Sequence, residues 1–230
     1  MPNAVVGLLA NGSGGDYGVH SEMFTTGLMR LHEAGKVTNR KGIFDGVSIT
    51  TFAMGSRALY DWLDGCESVR FLPVGVVNDP AVIAANRDMV SINGALSIDL
   101  LGQIVADSIS GVQHSGIGGH EDFLAGTGRT VNGRSVICLP STFESHGRDH
   151  SRIVAELPAG SLVTSPRHQV DVVVTEFGAA ELAGRTVGER AHALADIAHP
   201  SVSGDLREAA YEIERKGVIS VPHAGASEPS

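Results

Sequence analysis

Short apolar runs alternate with amphipathic stretches along this chain, and glycine, proline and asparagine punctuate the boundaries between them. Residues 2–10 predict a helix with proline in its first turn, stopped by Asn11-Gly12-Ser13-Gly14-Gly15. Extended and helical periods then follow in turn: 18–21 extended, 23–34 helical, 46–52 extended, 56–63 helical, 69–77 extended and 81–86 helical. From 89 to 110 the pattern is extended and broken by glycine, and it leads through Gly116-Ile117-Gly118-Gly119 into a short helix around 121–125. Strands are predicted again at 135–139, 151–157, 161–164 and 171–175, and helices at 187–197 and 205–216. Such alternation predicts an α/β fold, three layers α/β/α with a mainly parallel sheet. No repeat or linker divides the chain, so residues 1–220 read as one domain and the small, polar residues 221–230 as a disordered tail.

Composition narrows the partners. With 230 residues and 42% hydrophobic content the chain can bury a substantial core. Apolar runs such as Val170-Asp171-Val172-Val173-Val174 are strand-sized, and no basic-then-apolar leader opens the chain, so a soluble cytoplasmic protein without a membrane partner is expected. A net charge of −9 with only three lysines, Lys36, Lys41 and Lys216, argues against nucleic acid or an anionic membrane as a partner. Cys66 and Cys138 are far apart and lack a CxxC or Cys/His cluster, which predicts reduced buried thiols and no structural zinc. His146 and His150 bracket Gly147-Arg148-Asp149 without a metal-ligand spacing, so they read as exposed loop positions and no metal is expected.

Several catalytic signatures are missing. There is no GxxxxGK[ST], the run Gly116 to Gly119 lacks the GxGxxG spacing, and no GxSxG elbow supports a serine thioesterase. Glu121 and Asp122 are adjacent, so on a helix they do not face one another, and Asp122 reads as a residue that caps or orients the helix. Glu176 ends an apolar strand, where α/β enzymes place ligand contacts and where an ordinary terminal acid is equally at home, so it stays outside the catalytic set. From position alone Glu22 reads equally as a helix N-terminal acid, Asn78 as a cap before Asp79-Pro80, and the glycines as a tight turn that also admits a ligand close to the backbone.

Four segments carry more: Tyr17-Gly18-Val19-His20-Ser21-Glu22-Met23, residues 93–103 (Asn-Gly-Ala-Leu-Ser-Ile-Asp-Leu-Leu-Gly-Gln), residues 115–123 around Gly116-Ile117-Gly118-Gly119, and Val173-Val174-Thr175-Glu176-Phe177-Gly178 with Ile197-Ala198-His199-Pro200. In series and in this order they resemble the acetyl-CoA hydrolase/transferase family, which includes acetate and 4-hydroxybutyrate CoA-transferases. The resemblance runs from Pro2 to about Pro200 and implies a CoA-transferase C-terminal catalytic domain.

It implies Glu22 as a nucleophile that forms an acyl-glutamyl anhydride and then a glutamyl-CoA thioester. Asn78 and the Gly119 amide would be the oxyanion donors, and Gly116, Gly118 and Gly119 would let CoA approach the backbone. Coenzyme A would be a co-substrate, with no permanently bound cofactor, and the partners an acyl-CoA and a short-chain carboxylate. Acyl-CoA hydrolysis at the same site, or a non-catalytic CoA-binding half-enzyme, are the alternatives. Ser21, Gly94, Ser97-Ile98-Asp99 and His120-Glu121 depart from the family's usual wording and bear on acyl preference.

Members of that family carry an N-terminal domain of comparable size, so a partner subunit bearing it, or a homo-oligomer, is expected. Half of a two-domain enzyme should show an apolar face where the other half docks. Glu22 is expected just after a strand, at the C-terminal edge of the sheet and beside the glycine loop.

Overall fold

The computed structural model of the protein describes residues 2–109 and 111–216; the tail read at 221–230 lies outside them. Helix α1 (Pro2–Asn11) is followed by β1 (Met23–Thr25), which runs directly into α2 (Thr26–Glu33). The helix expected over 23–34 therefore begins three residues late. Thr25 is extended (φ −118°, ψ 164°), and β1 lies parallel to β3 (Phe52–Met54), which follows β2 (Ser48–Thr50). Pairing with a distant strand overrides the local helical period here.

After α3 (Arg57–Leu63), β4 (Val69–Phe71) pairs in parallel with β2. The extended run expected over 69–77 stops at Phe71, because Pro73 sits at the N-cap of a short helix, α4 (Val74–Val77), with its φ already preset. Helix α5 (Pro80–Ala84) has proline in its first turn and Asp79 as its cap, the Asp79 carboxylate accepting from the Ala81 amide at 2.8 Å.

The glycine-broken region is a series of short strands: β5 (Val90–Gly94), β6 (Ser97–Asp99), β7 (Ile104–Val105), β8 (Ser108–Ile109) and β9 (Val112–Gln113). Helix α6 (His120–Thr127) and β10 (Arg134–Cys138) come next. The strand expected over 151–157 is instead the end of an antiparallel hairpin, β11 (Thr142–Ser145) with β12 (Arg148–Ser151), followed by the two-residue β13 (Ile153–Val154). Its turn is His146 and Gly147, both at positive φ (52° and 72°), the geometry a tight hairpin requires, so His146 and His150 belong to a β-ribbon.

Residues 161–164 form no strand, and only Ser165 makes a single bridge to Ile104. Strand β14 (Val172–Thr175), expected over 171–175, turns back antiparallel into a further strand, β15 (Gly178–Glu181). Helices α7 (Val187–Asp196) and α8 (Pro200–Lys216) close the fold. Helix α8 starts at Pro200, five residues before the expected 205, and α7 starts at a capping box between Thr186 and Glu189.

The main sheet has the order β15-β14-β10-β5. Among the described residues the four antiparallel ladders join strands consecutive in the chain, whereas β1 with β3, β2 with β4, β6 with β13, and β10 with β5 and β14 are parallel and need crossovers. The α/β alternation is thus realised with mainly parallel pairing in the body of the molecule. Ile137, Val173 and Ala180 stand beside one another across that sheet in register and are buried with Leu124 of α6, Leu194 of α7 and Leu206 of α8. A smaller core, Ile49, Val77, Ile83 and Phe123, joins β2, α4, α5 and α6. It lies under the candidate site.

Candidate active site

The segment leading to Glu22 is pinned along its length. The Tyr17 amide donates to the Lys36 carbonyl (2.9 Å) and the Ser21 amide to the Ile49 carbonyl (3.0 Å). Asn39, in the left-handed region at φ 53°, accepts from the Val19 amide at 2.9 Å and donates to the Ser48 hydroxyl at 3.1 Å. Gly18 lies across the stem of Lys41, where a Cβ would come within 2.7 Å of Lys41 Cδ.

Lys41 itself is buried, and its Nζ donates to the carbonyls of Phe44 (2.9 Å) and Val47 (2.6 Å). Burial brings the Lys41 amine down to about 8, against the opposing charge of Asp45. Between about 8 and the ordinary 10.5 the unfolded chain holds a proton that the folded one has released, so stability should rise with pH across that window. Urea unfolding at a series of pH values should show this rise, and Lys41→Met should flatten it.

Glu22 sits at a bend between the extended bridge at His20 and the first residue of β1, rather than at a free strand end. Its carbonyl accepts from the Thr51 amide (3.0 Å), the Phe52 amide (3.2 Å) and the Thr50 hydroxyl (2.9 Å), which fixes the backbone beneath the side chain. The first turn of α2 holds no acid, so Glu22 does not serve that helix dipole.

Its carboxylate turns instead to Asn78, whose Nδ2 donates to Glu22 Oε2 at 2.9 Å. Asn78 is the C-cap of α4, and the cap of α5 is Asp79, which leaves the Asn78 side-chain amide for Glu22. Gly119 is the N-cap residue of α6, and a Cβ there would collide with Glu22 Oε2 and stand 2.5 Å from Asn78 Nδ2. Gly118, at φ 63°, is next to the same carboxylate. Gly116 stands open at the loop's exposed start, with nothing within 4 Å of where its Cβ would be. Glu22, Asn78, Gly118 and Gly119 are therefore one corner, and Gly116 is its approach.

Three further side chains belong to this corner. Asp122, in the first turn of α6, has its carboxyl pushed up by burial and then by the charge of Glu22, with Asn78 opposing. His20 is buried with Nε2 2.8 Å from the Val77 carbonyl, and Phe123 packs near its ring at 6.0 Å between centroids. Burial, and secondarily Lys41, holds the His20 imidazole below its usual range against the Val77 bond. His20 was open to detection, because residues two apart on an extended segment share a face with Glu22. Asp122, expected to cap or orient α6, lies in its first turn, while the N-cap is Gly119.

Glu176 is occupied elsewhere, accepting from the Ser141 amide at 2.9 Å and from its hydroxyl at 2.5 Å just past the end of β10. Burial raises the Glu176 carboxyl, and the Ser141 bonds, with His199, outweigh it and hold it low.

A hollow of about 750 Å3 opens beside the Glu22 backbone on Thr51, Phe52, Tyr60 and Phe71, without including the Glu22 carboxyl. Phe52, Tyr60 and Phe71 are 42%, 48% and 50% exposed there. Among the described residues no three His, Cys, Asp or Glu side chains are placed to hold a metal, and no helix is long and apolar enough to cross a membrane.

Comparison with known proteins places the chain in a family. A 4-hydroxybutyrate coenzyme A transferase of Clostridium kluyveri is 42% identical over 207 residues, covering 90% of this chain and 47% of that protein. A butyryl-CoA:acetate CoA-transferase of Anaerostipes caccae is 39% identical over 208 residues, covering 90% of this chain and 47% of that protein. The crystal structure of RipA from Yersinia pestis superposes with a TM-score of 0.84 at 40% identity, over 93% of this chain and 47% of that one. The chain thus spans about half the length of the curated relatives it matches. The acetyl-CoA hydrolase/transferase C-terminal domain matches residues 55–210. On that match and those identities, the chain belongs to the acetyl-CoA hydrolase/transferase family and carries its C-terminal domain.

Proposed function

We propose that this chain is the catalytic half of a CoA-transferase that moves CoA between a short-chain acyl-CoA and a carboxylic acid, with Glu22 as the covalent carrier. The observation that carries the reading is the 2.9 Å bond from Asn78 to Glu22 Oε2 at a backbone glycine that leaves no room for a side chain. A glutamate held by an amide donor, beside a glycine loop, suits nucleophilic acyl chemistry.

In the first step a Glu22 carboxylate oxygen attacks the thioester carbonyl, the tetrahedral oxyanion collapses, and CoA thiolate leaves a mixed anhydride. The thiolate then attacks the Glu22 carbonyl of that anhydride and expels the donor acid, giving a glutamyl-CoA thioester. An incoming carboxylate attacks the same Glu22 carbonyl and releases thiolate, which takes the new acyl group and returns Glu22 as a carboxylate. One thioester replaces another, so no external energy source is required. In the two middle steps negative charge develops on the oxygen of Glu22 itself, where the Asn78 amide already donates.

The half of the relatives' length that this chain does not match is the proposed partner, seated over the hollow beside the corner, where Phe52, Tyr60 and Phe71 offer apolar surface. Assays should therefore supply that N-terminal domain, in one chain or separately. With acyl-CoA, CoA should pass to an added short-chain carboxylate, and release of free CoA without any acceptor would mark hydrolysis instead. Asn78→Ala keeps the nucleophile and removes one donor, so kcat should fall ~10²–10³-fold while the covalent adduct still forms.

A further inference from the structure

We infer that His20 is a positioning residue for the Asn78–Glu22 pair, acting through the Val77 carbonyl; the inference rests on the reading of Glu22 as nucleophile. The Val77–Asn78 peptide is held at both ends. Its N–H donates to the Val74 carbonyl at 2.8 Å, and its carbonyl lies 2.8 Å from His20 Nε2. A carbonyl only accepts, so Nε2 carries the proton and Nδ1 is bare.

Val77 is the last residue of a four-residue helix, whose terminal carbonyls have no partner within the helix. His20 supplies one from outside. The peptide plane that it fixes carries Asn78, and the Asn78 side chain reaches Glu22 Oε2.

The ring meets each element that builds the corner. His20 and Glu22 stand two residues apart on one segment, Val77 ends α4, and Phe123 belongs to α6, the helix whose N-cap is Gly119. The arrangement is also specific to one nitrogen. Nδ1 is buried without a partner among the described residues, a desolvation penalty that an apolar side chain of similar size would avoid. The Nε2 bond is thus the one polar gain of an imidazole at this place. Neutrality follows from burial beside Lys41, which suits a ring that donates once and accepts nothing.

The test compares His20→Leu, His20→Gln and wild type, each with the N-terminal domain supplied. Gln can bring a side-chain N–H towards the Val77 carbonyl, and Leu fills volume only. For His20→Leu, kcat should fall roughly 10–100-fold, the scale of a misplaced reacting group, with KM for acyl-CoA within about twofold of wild type. His20→Gln should recover most of that loss, which a role in stability alone would not predict.

Should His20→Leu fail to fold, His20→Asn takes its place, because its amide falls short of the carbonyl and should remain slow where Gln is restored. Equal kcat in wild type, His20→Leu and His20→Asn, with a Glu22 adduct present in each, would overturn the positioning role alone. A wild-type enzyme that turns over without any adduct on Glu22 would overturn the nucleophile reading, and this inference with it.

Discussion

Glu22→Gln should abolish the covalent adduct and lower turnover by roughly 10⁴-fold or more, the scale of removing a covalent nucleophile. The amide is nearly the same shape as the carboxylate, and its oxygen can still accept from Asn78 Nδ2, so the corner should keep its packing. What disappears is the oxygen pair that the proposed mechanism uses as nucleophile. Trapping makes the result specific: hydroxylamine converts a glutamyl-CoA thioester to a hydroxamate and borohydride reduces it to an alcohol, and each product shifts the mass of the peptide carrying Glu22. Glu22→Asp is the graded companion. It retains a carboxylate but withdraws it by one methylene from Asn78 and Gly119, and a misplacement of that size should lower the rate ~10²-fold. Persistent turnover in Glu22→Gln, or label on Glu121, Asp122 or Glu176, would remove the assignment even though the family stands.

The α/β alternation was legible because apolar periodicity changes along the chain from two to about 3.6, and α3, α5 and α7 fall within about two residues of their expected bounds. What failed was short and tertiary. Met23, Phe24 and Thr25 are a strand only because Phe52, Ala53 and Met54 pair with them, a partner 29 positions away that no window sees. The helix at Val74 was hidden by three β-favouring valines and a glycine that a preset proline and a core contact at Val77 turn helical. The β11–β12 turn was visible in principle as His146-Gly147, an X-Gly pair, but the polar residues around it show no alternation.

The candidate site divides in the same way. Glu22, Asn78 and Gly119 came from a resemblance, since spacing alone left each with an equally good structural role. The folded chain then closes the 56-residue separation between Glu22 and Asn78 to one hydrogen bond. His20, Lys41 and Asp122 carry shifts that arise from burial and from neighbours brought by other elements, and those have no one-dimensional signature. A reader of sequence meets them as a histidine, a lysine and a helix acid.

Gly119→Ala should lower turnover by up to ~10⁴-fold with little effect on folding, since a displaced carboxylate and a disturbed Asn78 donor, in the proposed mechanism, each cost ~10². Gly119 has φ −83°, which alanine adopts freely, and it begins a helix, so the backbone has no objection to a methyl group. The conflict is with the site. The new Cβ would collide with Glu22 Oε2 and come to 2.5 Å from Asn78 Nδ2 and 3.1 Å from Asn78 Cγ. No real Cβ tolerates such contacts, so the carboxylate must rotate or the α6 N-terminus must retreat, and either motion separates the Glu22 carboxylate from the Asn78 amide. Gly118→Ala differs in kind, because its φ of 63° strains any side chain and would confuse a local effect with a folding one. For Gly119→Ala the urea midpoint should stay near wild type while kcat and adduct yield fall together. Wild-type turnover in that variant would mean that the working enzyme does not hold Glu22 against this glycine, and the corner would lose its claim to be the active site.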